Sequence, residues 1–68
     1  MATRTHNPLR PEIGRRYRLR RDGGRESIAA VVDIDTRAGW IYARDESFGE
    51  VLRWTRALWR RECVERIG

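Results

Sequence analysis

Six arginines fall within the eleven residues 15–25, RRYRLRRDGGR. A guanidinium is a planar fork of donors that grips phosphate or carboxylate oxygens in pairs and stays charged throughout the ordinary pH range. Arg16, Arg18 and Arg20 alternate with Tyr17 and Leu19, so in an extended chain they leave one face about 7 Å apart, with Arg15, Arg21 and Arg25 near its ends. That spacing resembles the phosphate repeat along a nucleic-acid strand, and such contacts give affinity without reading sequence. The competing use of the same face is structural: arginines paired with Asp22, Glu26, Asp33 or Asp35, each exposed pair contributing about 0–1 kcal/mol and cancelling the field that a polyanion would feel. The choice turns on how many of these arginines are already paired.

The aromatic residues are Tyr17, Trp40, Tyr42, Phe48, Trp54 and Trp59. A ring exposed beside arginine makes a stacking platform for single-stranded nucleic acid, a cluster of rings makes a cage for a methylated cation, and an exposed Trp suits a protein interface. A small domain also needs rings as filler, since each buries about 150–250 Å². Tyr17 and Trp59 are read as core; Trp40, Tyr42 and Trp54 remain the surface candidates.

Other chemistry is thin. The acids Asp33, Asp35, Asp45, Glu46 and Glu50 match neither a calcium loop nor a paired-carboxylate catalytic site and read as solvated charge. His6 sits in a polar arm, Cys63 reads as a small core residue, and RDGGRE lacks the lysine and spacing of a phosphate loop. No nucleophile–base arrangement is credible. The expectation is a non-enzymatic binding module with no metal and no cofactor.

These side chains need elements to hold them. Residues 1–13, with Pro8 and Pro11, read as a disordered basic arm, and residues 14–68 as a small β-barrel domain. RRYRLRR alternates with period two, the mark of a half-buried strand. DGG at 22–24 is a hairpin turn, and the β-branched SIAAVVDID (27–35) is a second strand. Ile28, Ala30, Val32 and Ile34 share one of its faces, Ala29, Val31, Asp33 and Asp35 the other. WIYARD (40–45) is a third strand in which the Trp40/Tyr42 and Ile41/Ala43 faces compete for the core, and EVLRW (50–54) is a fourth. Residues 55–67 allow two readings. One is a helical turn capped by Thr55 followed by a last strand, CVERI, which pairs with the first strand and closes a barrel. The other is a three- or four-stranded antiparallel sheet with a single C-terminal helix over 48–67, capped by Ser47 and Glu50. The first is preferred because four strands alone leave open edges.

This order of elements resembles the SH3-like small barrels. More narrowly, it is similar to short uncharacterised phage and mobile-element proteins through Gly14 to Tyr17, VVDID at 31–35, WIYAR at 40–44 and TRALW at 55–59. The resemblance covers residues 14–67 and implies a fold and a context; it brings no catalytic residue.

Composition sets the outer bounds. Sixty-eight residues with one cysteine make one domain without an internal disulfide, and no apolar stretch approaches a membrane span. The net charge is +5. Residues 1–25 carry +6 of it and residues 26–68 carry −1, so the positive field is N-terminal and suits DNA or RNA. A protein partner or a homodimer using the aromatic surface is the alternative. All fifteen basic residues are Arg, a bias that a GC-rich genome also produces, pointing to a bacterium or one of its mobile elements. The setting implied is cytoplasmic.

Overall fold

The computed structural model describes residues 10–67. Five strands form one antiparallel sheet: β1 (Arg16–Arg20), β2 (Glu26–Asp35), β3 (Trp40–Asp45), β4 (Val51–Thr55) and β5 (Cys63–Ile67), in the order β4-β3-β2-β1-β5. One short helix, α1 (Arg56–Glu62), precedes β5. The all-β class with a helical turn before the last strand is therefore correct, and the long-helix alternative is excluded. Thr55 caps α1, its Oγ1 accepting from the Leu58 amide at 3.0 Å, which satisfies one of the amides a helix start leaves open. The expected closed barrel does not form. Among the described residues β4 and β5 are unpaired edges of one open sheet.

The β1–β2 hairpin turns at Asp22–Gly24, where Gly23 and Gly24 have φ of +81° and +82°. That left-handed region costs a residue with a Cβ more than it costs glycine, which is why DGG marks the turn.

Two β-bulges decide which side chains face inward. In β2 the pairing runs Val31↔Ala43 and then Asp33↔Tyr42, leaving Val32 as the extra residue. In β5 it runs Glu65↔Arg18 and then Cys63↔Leu19, leaving Val64 extra. A bulge breaks the period-two alternation and bends the strand. Unbroken alternation would have put Asp33 and Asp35 on the same face as Ala29 and Val31. The bulge instead carries Ile34 to the core side opposite Ile41 and turns both aspartates outward.

The core is Tyr17, Leu19, Ala29, Val31, Ile41, Ala43, Trp54, Trp59 and Cys63. The contest within β3 goes to Ile41 and Ala43. α1 runs from the end of β4 to the start of β5 and drives Trp59 edge-on against Tyr17 (5.1 Å between centroids) and Trp54 (5.6 Å). Edge-to-face geometry of this kind adds to the burial of the rings. No helix among the described residues is long and apolar enough to cross a membrane.

Candidate nucleic-acid interface

β1 presents its arginines as the alternation requires: Tyr17 and Leu19 are buried and Arg16, Arg18 and Arg20 face outward. They do not stand free. Arg16 clasps Glu46 with Nε to Oε2 at 2.7 Å and Nη2 to Oε1 at 2.9 Å. Arg18 meets Glu65 at 2.6 Å and Arg20 meets Glu26 at 3.0 Å. Arg15 lies 3.5 Å from Glu12, and Arg21 lies 3.4 Å from Glu62. Of the six expected contact residues, only Arg25 has no ion pair to a described carboxylate. The two-point clasp raises the pKa of Arg16 and lowers that of Glu46, first through the hydrogen bonds between them.

The partners differ from those expected. Glu26 alone comes from the anticipated set. Glu46, Glu62 and Glu65 come from the β3–β4 link, α1 and β5, which the five-stranded sheet brings beside β1. Asp33 and Asp35 serve the backbone instead. Asp33 accepts from the Ile34 amide at 2.9 Å, and Asp35 from the Arg37 and Ala38 amides at 3.1 and 3.0 Å, holding the β2–β3 turn. The sheet thus converts most of the arginine strand into a field of charge pairs.

The aromatic candidates also divide. Trp54 is 1% exposed and is core, so it is withdrawn as a surface residue. Its indole Nε1 donates to Glu62 at 2.8 Å, and the Arg21 guanidinium stacks 5.4 Å from its ring. Trp40 and Tyr42 lie half-buried on the outer face of β3, and Arg53 covers Trp40 at 4.2 Å. Cys63 is buried, which pushes its thiol up to about 11. His6 lies outside the described residues.

Three of the arginines without a described carboxylate partner, Arg10, Arg56 and Arg60, meet elsewhere. Arg56 and Arg60 are one turn apart on α1 and share a helix face. With Arg10 and Pro11 they rim a cleft of roughly 380 Å3 whose other lining residues are Ile34, Thr36, Ile41 and Trp59. No carboxylate of the described residues lines it. Arg10 is held there by Tyr17, whose hydroxyl donates to the Arg10 carbonyl at 2.9 Å and accepts from the Glu12 amide at 3.0 Å. The end of the arm is thus fastened to the domain, and residues 1–9 of it lie outside the described residues. The i, i+4 spacing of Arg56 and Arg60 behind the Thr55 cap was visible in TRALWRR. Their convergence with Arg10 depends on the fold.

No family model, curated protein or solved structure matches this chain.

Proposed function

We propose that this protein is a non-enzymatic, nucleic-acid-binding module of the SH3-like kind, carried by a bacterium or one of its mobile elements and working in the cytoplasm. The observation that carries this reading is the distribution of charge partners. Glutamates already occupy all three arginines of β1, whereas Arg10, Arg56 and Arg60 converge on one cleft without a described carboxylate among them. These three guanidinium groups give the cleft beside α1 a local positive charge. Arg61 lies on the same helix. Guanidinium groups in such an array attract a polyanion by releasing its condensed counterions, which gives affinity with little sequence preference.

The alternative, a protein-interaction module using an aromatic surface, loses support because Trp54 is core and Trp40 is covered by Arg53. A salt titration with labelled single- and double-stranded DNA and RNA tests the choice. Micromolar binding at low salt that weakens about 20-fold or more between 50 and 200 mM fits three or more phosphate contacts. Absence of binding to every nucleic acid at low salt removes the reading.

A further inference from the structure

We infer that the outer face of β2, β3 and β4 is a two-fold interface between two copies of this chain. The inference concerns assembly and does not rest on the nucleic-acid reading.

The outer face of the sheet carries its charges in two unlike halves. Over β1 each arginine has a glutamate within its own copy. Over β2–β4 the charges stay apart. The register sets three rows across these strands: Asp35–Trp40–Thr55, Asp33–Tyr42–Arg53 and Ala30–Arg44–Val51. The acids thus flank the aromatic strand on the β2 side, and Arg53 flanks it on the β4 side. Two strand spacings, about 9–10 Å, separate the flanks. Asp33 and Asp35 meet only backbone amides, and Arg53 lies over the Trp40 ring. None of the three has an ion pair among the described residues. A guanidinium stacked on a ring keeps its in-plane N–H donors free for a carboxylate. Between the flanks the surface is apolar. Val32, the extra residue of the β2 bulge, is 40% exposed and Val51 is 47% exposed. Both line one shallow depression with Tyr42, Asp33 and Asp35. Single exposed valines are ordinary. Two of them beside a half-buried tyrosine, bracketed by unpaired charges of opposite sign, make a patch suited to a complementary surface.

A second copy supplies that surface. Two sheets packed face to face about 10 Å apart, with a two-fold axis along β3, set the β2 flank of each against the β4 flank of the other. Asp33 then faces Arg53 of the second copy, twice by symmetry, and Tyr42 meets its own counterpart at the centre. An axis across the strands would instead set Asp33 against Asp33 and Arg53 against Arg53. Charge therefore selects the first arrangement. Arg37 also lines the depression, but it belongs to the β2–β3 turn beyond the last paired row. The one like-charge contact is Arg44 against its counterpart, in an end row and exposed. The three strands cover about 14 by 17 Å, the low end for a specific interface, so the dimer is a weak one. The cleft beside α1 lies on the core side of the sheet and stays open in each copy.

The test is sedimentation of the full chain from about 10 μM to about 1 mM, a range that brackets the dissociation constant of so small a face. Wild-type protein passes from monomer to dimer across it. D33R and R53D, each shown to be folded by circular dichroism, stay monomeric because each sets like charges opposite one another. An equimolar mixture of the two recovers a dimer, since each variant supplies the charge that the other lacks. V51E, at an exposed apolar position, is monomeric with an unchanged melting temperature, and R44Q dimerises more tightly than wild type. Wild-type protein that stays monomeric at the highest concentration overturns the interface. So does a dimer that survives D33R, R53D and V51E, or a mixture of D33R and R53D that remains monomeric where wild type dimerises.

Discussion

At the scale of single residues, Glu62 differs from the other glutamates that face arginines. It is 9% exposed and holds the Trp54 indole at 2.8 Å and Arg21 at 3.4 Å together. Replacing it with alanine leaves a buried indole N–H without an acceptor and uncovers a guanidinium lying over the same ring. A stranded buried donor costs about 1–3 kcal/mol, whereas an exposed ion pair contributes about 0–1 kcal/mol. E62A should therefore lower unfolding free energy in a denaturant titration by about 2 kcal/mol, with E46A and E65A well below it. Equal effects of the three would mean that Glu62 is no more than another surface charge. Cys63 gives a second residue-scale expectation. Burial favours its neutral thiol and raises its pKa to about 11, and burial likewise raises the pKa of Tyr17. A folded-state pKa raised above the unfolded one contributes stability that is complete below the unfolded value. That contribution disappears as pH climbs through the folded one. Melting temperature should thus fall as pH rises from about 9 toward about 11. At pH 8 a thiol reagent should modify Cys63 slowly in native protein and rapidly in denaturant. Rapid labelling of native protein would show that the Cys63 sulfur is not buried in the core.

Elements show which features sequence patterns can carry. β1, the DGG turn, β3 and the Thr55-capped helix were legible because each is settled by neighbours a few residues away: alternation, paired glycines, a capping hydroxyl. The core side of β2 was not. A bulge at Val32 is invisible to a period-two count, yet it decides that Ile34 and not Asp33 faces inward. Barrel closure failed for a similar reason, since the fate of β4 and β5 depends on sheet curvature and on where α1 packs. The candidate site was half legible. The arginines of β1 were found, but their partners Glu46, Glu62 and Glu65 lie 30, 41 and 47 positions along the chain from Arg16, Arg21 and Arg18, beyond the reach of any local pattern. The same holds for Arg10, which reaches Arg56 and Arg60 only because Tyr17 pins its carbonyl. Y17F tests that link. It removes one hydroxyl from a fully buried ring and leaves every arginine in place. Stability should drop by about 1–2 kcal/mol, and nucleic-acid affinity at low salt should fall severalfold at temperatures where the protein is fully folded. Unchanged affinity in a folded Y17F protein would mean that Arg10 finds the ligand without its fastening.

For the whole molecule, the governing quantity is net charge and where it is left uncancelled. The chain carries +5, and Glu26, Glu46 and Glu65 quench Arg20, Arg16 and Arg18 on the outer face of β1. Those pairs are exposed, so they contribute little to stability, but each sets a negative charge against a guanidinium that would otherwise face solvent. On the proposed nucleic-acid reading, these glutamates would weaken the attraction of the β1 face for a polyanion. Removing them should therefore change binding far more than folding. The variant E26Q/E46Q/E65Q raises the net charge from +5 to +8 and keeps side chains of nearly the same shape. Its melting temperature should stay within a few degrees of the parent. Its affinity for duplex DNA at low salt should rise, and its log K against log salt plot should steepen by up to about 2.7, the increment for three further phosphate contacts at roughly 0.9 each. A variant that folds normally and keeps the parent's salt slope and affinity would show that the β1 glutamates do not shield this face.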